Sequence, residues 1–173
     1  DIDHLTSLVT HYDPRSPVAE AYRALRTNIE KTREMSDAKV IMVTSSVLEE
    51  GKSTTSANLA LAFAQMGKKT LLAAADLRRP DIHRVFGLQK EPGLADVLTG
   101  SMPWESATRS LSDILLGDMP MDIVILTPGM DNLHVLPSGS NPLNPAELLS
   151  SKAMADLVAE LRDAFDIVIF DTP

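Results

Sequence analysis

The chain has 173 residues, 44% hydrophobic and 23% charged, with a net charge of −8 and no cysteine. That length suffices for one domain with a sizeable core, and the composition is that of a globular protein rather than a disordered one. The acidic balance argues against a nucleic-acid partner, the missing thiols exclude disulfides and thiolate metal sites, and no apolar run approaches the ~20 residues of a membrane helix.

Residues 1–15 are mixed and polar and read as an extended lead-in; residues 16–173 read as the domain. Ser16-Pro17 is a helix start, because serine caps and proline fits the first turn. The helix is expected to run to about Met35, with Val18, Tyr22, Leu25 and Ile29 as its apolar stripe. The β-branched run Lys39–Thr44 predicts a buried strand. Residues 53–66 predict a helix that is apolar nearly all round, closed by Gly67. Lys69–Ala75 predicts a second strand, and residues 80–86 and 93–99 predict short helices. Two echoes, Leu94–Gly100 and Leu111–Gly117, are too short and isolated to make a repeat architecture.

Asp122–Leu126 and Leu133–Leu136 predict two short strands joined by a Pro-Gly turn as a hairpin. Pro145 opens a helix expected to reach Ala164, and Phe165–Phe170 predicts the last strand. Strands alternating with helices predict an α/β domain, three-layered, with a mostly parallel central sheet. Both ends read as cut: the first residue is Asp1, no signal peptide is visible, and Asp171-Thr172-Pro173 follows directly on an apolar run.

The chemistry concentrates after the first strand, in Thr44-Ser-Ser-Val-Leu-Glu-Glu-Gly-Lys-Ser-Thr-Thr55. A helix N-terminus after a tight turn offers unpaired amides and a positive dipole end to an anion. Gly51-Lys52-Ser53-Thr54 matches the end of a phosphate-binding loop, in which the lysine reaches the β- and γ-phosphates and the hydroxyl ligates magnesium. The motif's first glycine is replaced by Ser46. Asp171 ends the last apolar strand, where P-loop proteins hold the magnesium shell. Asp76, in Leu71-Leu-Ala-Ala-Ala-Asp-Leu-Arg-Arg-Pro80, also ends a buried strand. His4, His11, His83 and His134 have no spacing that makes a recognised ligand pair.

Together these segments resemble the bacterial protein-tyrosine kinases of capsule and exopolysaccharide synthesis, the BY-kinases, a deviant P-loop class. That family carries a loop of the form S-S-x-P-G-E-G-K-S-T, then hhhDxDLRRP, then a strand ending D-x-P-P. This chain has Ser45–Thr54, Leu71–Pro80 and Asp171–Pro173, with further likeness in Tyr12–Asn28 and Asn144–Leu149. The family itself puts serine or alanine where Ser46 stands. The resemblance implies a P-loop NTPase-like fold and transfer of the γ-phosphoryl of MgATP to tyrosines on a neighbouring copy. It implies ATP or ADP at Glu50, Gly51, Lys52, Ser53 and Thr54, and Mg2+ at Ser53, Asp76 and Asp171. Lys52, Asp76 and Asp171 become the catalytic set.

The resemblance also implies a ring-like homo-oligomer formed through Glu20, Arg23 and Arg26, the family's E-x-x-R-x-x-R. By spacing, these fan over about 120° of the helix on a different face from the apolar stripe, so they are expected to point outward. The implied partner is a membrane-embedded co-polymerase domain or activator, the implied location is the cytoplasmic side of the bacterial inner membrane, and the fragment itself is expected to be soluble. The chain departs from the family at three points. Ala74 stands in place of the first aspartate of hhhDxD, which predicts weak or absent kinase activity. Leu48 replaces the loop proline and Glu49 a glycine, with the side chains of Glu49 and Glu50 expected to turn to solvent. Two other readings stand beside the kinase. One is a ParA/MinD-like ATPase, disfavoured because its signature lysine is Val47 here. The other is a nucleotide-binding, non-catalytic, oligomerising scaffold, kept alive by Ala74.

Overall fold

Apolar residues run almost continuously along the main strands, and the sheet they build is covered on both faces. The computed structural model describes residues 8–47, 50–110 and 129–173. Its elements are α1 (Val9–Tyr12), α2 (Pro17–Ser36), β1 (Val40–Val43), α3 (Lys52–Gln65) and β2 (Thr70–Ala74). They continue with α4 (Ile82–Val85), α5 (Leu94–Leu98), α6 (Trp104–Ala107) and β3 (Arg109–Ser110). A 3-10 turn (Met130–Asn132), β4 (Leu133–Leu136), α7 (Pro145–Leu149), α8 (Lys152–Ala164) and β5 (Ile167–Asp171) complete them.

The described sheet runs β1-β5-β2-β4-β3. β1, β5, β2 and β4 pair in parallel, and only β3 is antiparallel, against β4. Because side chains alternate across a sheet, Leu72 with Ile167 and Ile169 faces one side and Leu71 with Val168 and Phe170 faces the other. The first side packs on Leu59, Leu61 and Phe63 of α3; the second packs on Leu94 of α5 and on Leu157 and Leu161 of α8. This is the expected three-layer α/β, P-loop-like arrangement. The nearly all-apolar sequence of α3 reflects its burial: every residue from Ser56 to Ala64 is buried.

Several expectations change. The lead-in is not wholly extended. Val9–Tyr12 forms a helical turn, with Leu8 2% exposed in the core. β1 is an edge strand among the described residues, and Met42 is 68% exposed, so its β-branched run is only half covered. The helix expected over 145–164 is two, broken where Ser151 caps α8 by accepting from Met154 N at 3.3 Å. Leu133–Leu136 does form a strand, but its described antiparallel neighbour is Arg109–Ser110. The expected strand Asp122–Leu126, the echo at Leu111–Gly117, Leu48, Glu49 and His4 lie outside the described residues.

The largest change is on α2. Ser16 caps it as expected, accepting from Ala19 N at 3.1 Å. Of the expected stripe, however, Val18 and Leu25 are exposed, while Ile29 packs partly against the core. The helix buries Ala19 completely and turns Arg26 inward, where Nη1 donates to Ala62 O at 3.2 Å. Ala62 lies in the last turn of α3, whose carbonyls lack helical partners, so a guanidinium there satisfies an orphan acceptor at the negative end of the dipole.

The loop after β4 is buckled to α5. Leu94 N and Ala95 N donate to Pro137 O and Ser138 O at 2.8 and 2.9 Å. The approach is so close that a Cβ on Gly93 would lie 2.3 Å from Pro137 O, so only glycine fits. Asp96 Oδ2 accepts from Gly93 N at 2.9 Å and Ser140 N at 3.2 Å. Partial burial opposes its charge, but hydrogen bonding from the Ser140 side chain, and then from the Gly93 and Ser140 amides, prevails and holds the carboxyl below the ordinary carboxylate range.

Two outcomes follow from the packing and the buckle. Phe63→Ala is expected to cost about 3–5 kcal/mol in urea unfolding, the usual loss for emptying an aromatic core position. Because the folded pKa of Asp96 is depressed, its charge stabilises the fold above the ordinary carboxylate range, and this is lost as pH falls through the lower folded value. The melting temperature of the parent should therefore exceed that of Asp96→Asn at neutral pH, and the gap should close in acid.

Candidate functional site

The phosphate-loop turn is made possible by Gly51, which caps α3 in the left-handed region at φ 77°, ψ 20°, where a side chain is strained. The chain then enters α3 directly, so the amides of its first turn have no helical acceptors. Thr55 N donates back to Gly51 O at 2.8 Å and closes the turn. β1, which feeds the loop, lies beside β5, and β5 lies beside β2, so three strand ends meet at one edge. Val43 and Ala74 are the register partners of Asp171 on either side.

Asp171 is 1% exposed and fully engaged. Lys52 Nζ lies 3.2 Å from its Oδ1, Ser53 Oγ donates to Oδ2 at 2.8 Å, and Ser56 Oγ donates to Oδ1 at 3.0 Å. Its backbone carbonyl accepts from Ala75 N and Asp76 N at 2.8 and 2.9 Å. Asp76 completes the group, with Oδ2 3.7 Å from Lys52 Nζ. Its other oxygen accepts from Arg78 N at 3.2 Å and Arg79 N at 2.9 Å, a turn that fixes the carboxylate's direction. Lys52 and Ser53, Asp76 and Asp171, from three separate segments of the sequence, thus converge at one end of the sheet, with Gly51 and Thr54 on the same turn.

The donor set is two carboxylates and a hydroxyl around one ammonium. These are hard oxygen ligands, the kind that magnesium takes, with charge suited to a divalent cation. Imidazole and thiolate are absent from it, so it does not resemble a zinc centre.

Ser56 was not singled out by motif. The available signal was a serine four residues after Lys52 in an otherwise apolar helix, a buried hydroxyl that needs a partner. Glu50 is exposed, as expected, but its carboxylate also folds back on the loop, accepting from Ser46 N at 3.1 Å and Val47 N at 3.3 Å, because free loop amides attract the nearest anion. Ala74 is buried at the end of β2, in the cluster that includes α3.

The expected outward fan on α2 is not observed as a unit. Glu20 is exposed and pairs with Arg23, and Arg23 also donates to Pro14 O. Arg26 points inward to Ala62 O, because the face that packs is set by the close approach at Ala19 and not by the apolar stripe.

Comparison with known proteins agrees with this geometry. The AAA-domain family (AAA_31) matches residues 38–173. The tyrosine-protein kinase YwqD of Bacillus subtilis is 43% identical over 96% of this chain and 63% of its own length. The chain therefore spans less than two thirds of that relative. The kinase domain of the Escherichia coli tyrosine kinase ETK superposes with a TM-score of 0.82 at 30% identity, covering 96% of this chain and 58% of that one. The chimerical protein CapA2B2 gives 0.81 at 35% identity, covering 97% and 66%. The cell-division ATPase MinD of Pyrococcus furiosus reaches only 0.57 at 26% identity, covering 78% of this chain and 50% of that one. Among the described residues, no helix is long and apolar enough to cross a membrane. The phosphate-loop turn, the strand-end aspartates and these likenesses together place the chain in the family of bacterial tyrosine-protein kinases, on a P-loop NTPase-like fold.

Proposed function

We propose that this chain binds MgATP and is the nucleotide-binding part of a protein-tyrosine kinase acting on tyrosines of a neighbouring copy. The observation that carries the reading is the convergence of Lys52 and Ser53 on the buried carboxylate of Asp171, with the Asp76 carboxylate 3.7 Å from the same ammonium. Lys52 is shared by two carboxylates, which leaves the group with one net negative charge. Transfer of that ammonium to the β- and γ-phosphates would leave Asp171 and Asp76 to face a cation. Ser53, Asp76 and Asp171 would hold magnesium directly or through water, and the ion would supply positive charge to offset that of the phosphates. The amides of Gly51 to Thr54 orient the phosphate chain, so most of the catalysis is positioning and electrostatic stabilisation.

Turnover is expected to be weak. A carboxylate at position 74, the register partner of Asp171, would stand at the strand end beside it and help to take the tyrosine proton. Alanine has no group that can do so. This observation also favours a second reading, a nucleotide-binding scaffold that assembles without transfer. The ParA/MinD-like ATPase is the weaker alternative, since Val47 cannot supply a lysine's charge and the MinD likeness is lower. By resemblance, the setting is capsule or exopolysaccharide synthesis at the inner face of a bacterial membrane. The partners are further copies and a membrane-embedded co-polymerase domain or activator. A ring contact through Glu20, Arg23 and Arg26 then requires Arg26 to be released from Ala62 O.

Lys52→Met is expected to abolish measurable MgATP binding in calorimetric titration; binding as tight as the parent's would refute the site. Ala74→Asp is expected to raise phosphotyrosine formation by about 10²–10⁴-fold, the usual worth of a positioned base. Release of ADP without phosphotyrosine in that variant would favour the ATPase. Nucleotide-dependent assembly without turnover would favour the scaffold.

A further inference from the structure

We propose that Asn58 is a positioning residue of the phosphate-binding turn, and that Thr10 of α1 holds it there. The inference rests on the nucleotide reading above. Asn58 and Thr10 are both 0% exposed, 48 residues apart in sequence. Asn58 Oδ1 accepts from Thr10 N at 3.1 Å and from Thr10 Oγ1 at 3.0 Å. Its amide Nδ2 donates the other way, to Thr54 O at 2.9 Å. Farther along α3, Gln65 Nε2 donates to Thr10 O at 3.1 Å, so α1 is held to this helix at two points.

The bond to Thr54 O reaches the anion-binding turn directly. That carbonyl belongs to the peptide whose N–H, on Thr55, donates to Gly51 O at 2.8 Å. Fixing the plane of this peptide fixes the carbonyl of the left-handed glycine on which the loop turns. A continuous line of hydrogen bonds therefore runs from Thr10 through Asn58 and the Thr54–Thr55 peptide to Gly51. A buried amide side chain is costly unless satisfied, and here its oxygen and nitrogen are divided between α1 and the loop end of α3. Docking of α1 should thus set how well the phosphate turn is ordered before nucleotide arrives, which is affinity gained by preorganisation.

The test is MgADP titration by calorimetry, with amide hydrogen exchange over Gly51–Thr55. Asn58→Ala and Thr10→Val are each expected to weaken MgADP by about 3- to 10-fold, the worth of one or two hydrogen bonds. Exchange at the turn should rise in both. The double variant should be no weaker than Asn58→Ala, because Thr10 acts through Asn58. Thr10→Ser, which keeps the hydroxyl, should bind as the parent does. If Asn58→Ala fails to fold, the comparison of Thr10→Val with Thr10→Ser decides. Lower melting temperatures with unchanged affinity and unchanged exchange at the turn would make both residues merely structural and overturn the proposal. Effects that multiply in the double variant would also overturn it. Failure of the parent itself to bind MgADP would overturn the nucleotide reading as well, and so is distinguishable from failure of this inference alone.

Discussion

The buried carboxylate of Asp171 is the contact on which the site depends, because a charge so shielded from water is tolerable only when paired and hydrogen-bonded. An uncompensated buried ion costs several kcal/mol. Here one ammonium and two hydroxyls, all from the first two turns of α3, converge on its two oxygens. The same residue is the last of β5, and its carbonyl takes the amides of Ala75 and Asp76. One aspartate therefore ties the phosphate-loop helix to the central strand and directs the exit of β2. The position of Asp76 follows from that exit, as does the place where Ala74 meets the site.

The sheet order makes this convergence possible. β5 is last in sequence but lies between β1 and β2. Parallel strands put all three carboxyl ends at the same edge, where crossover connections leave room for a ligand. A charged site at that edge does not disturb the core, since the two apolar clusters lie above and below the strands. The apolar α3 serves both tasks. Its length is buried for stability, while its first turn presents amides and Lys52 at the rim.

Much of this was legible from residue order. Strand–glycine-lysine–helix identifies an anion turn because few other contexts place unpaired amides beside a lysine, and Asp76 and Asp171 were legible as carboxylates at the ends of apolar runs. Ser56 and Asn58 were less so. Polar residues inside an apolar helix signal a buried partner but not which one, and their partners lie 115 and 48 residues away. The orientation of α2 was misread for a related reason. Val18, Tyr22, Leu25 and Ile29 make a regular stripe, yet the helix turns toward Ala19 and Arg26. A small residue allows close approach, and an orphan carbonyl attracts a guanidinium; together they outweigh the partial exposure of two aliphatic side chains.

Residue order alone was enough for the fold class and for the strand–glycine-lysine–helix pattern with its charged residues, because hydrophobic period and helix-start chemistry are local properties. Tertiary structure alone decided which carboxylate is buried, which hydroxyls satisfy it and which way Glu50 and Arg26 turn. It also decided that Leu8–Tyr12 is built into the fold beside α3. Those outcomes depend on strand order and on the competition of distant donors for a few buried acceptors, and neither is encoded in the spacing of neighbouring residues.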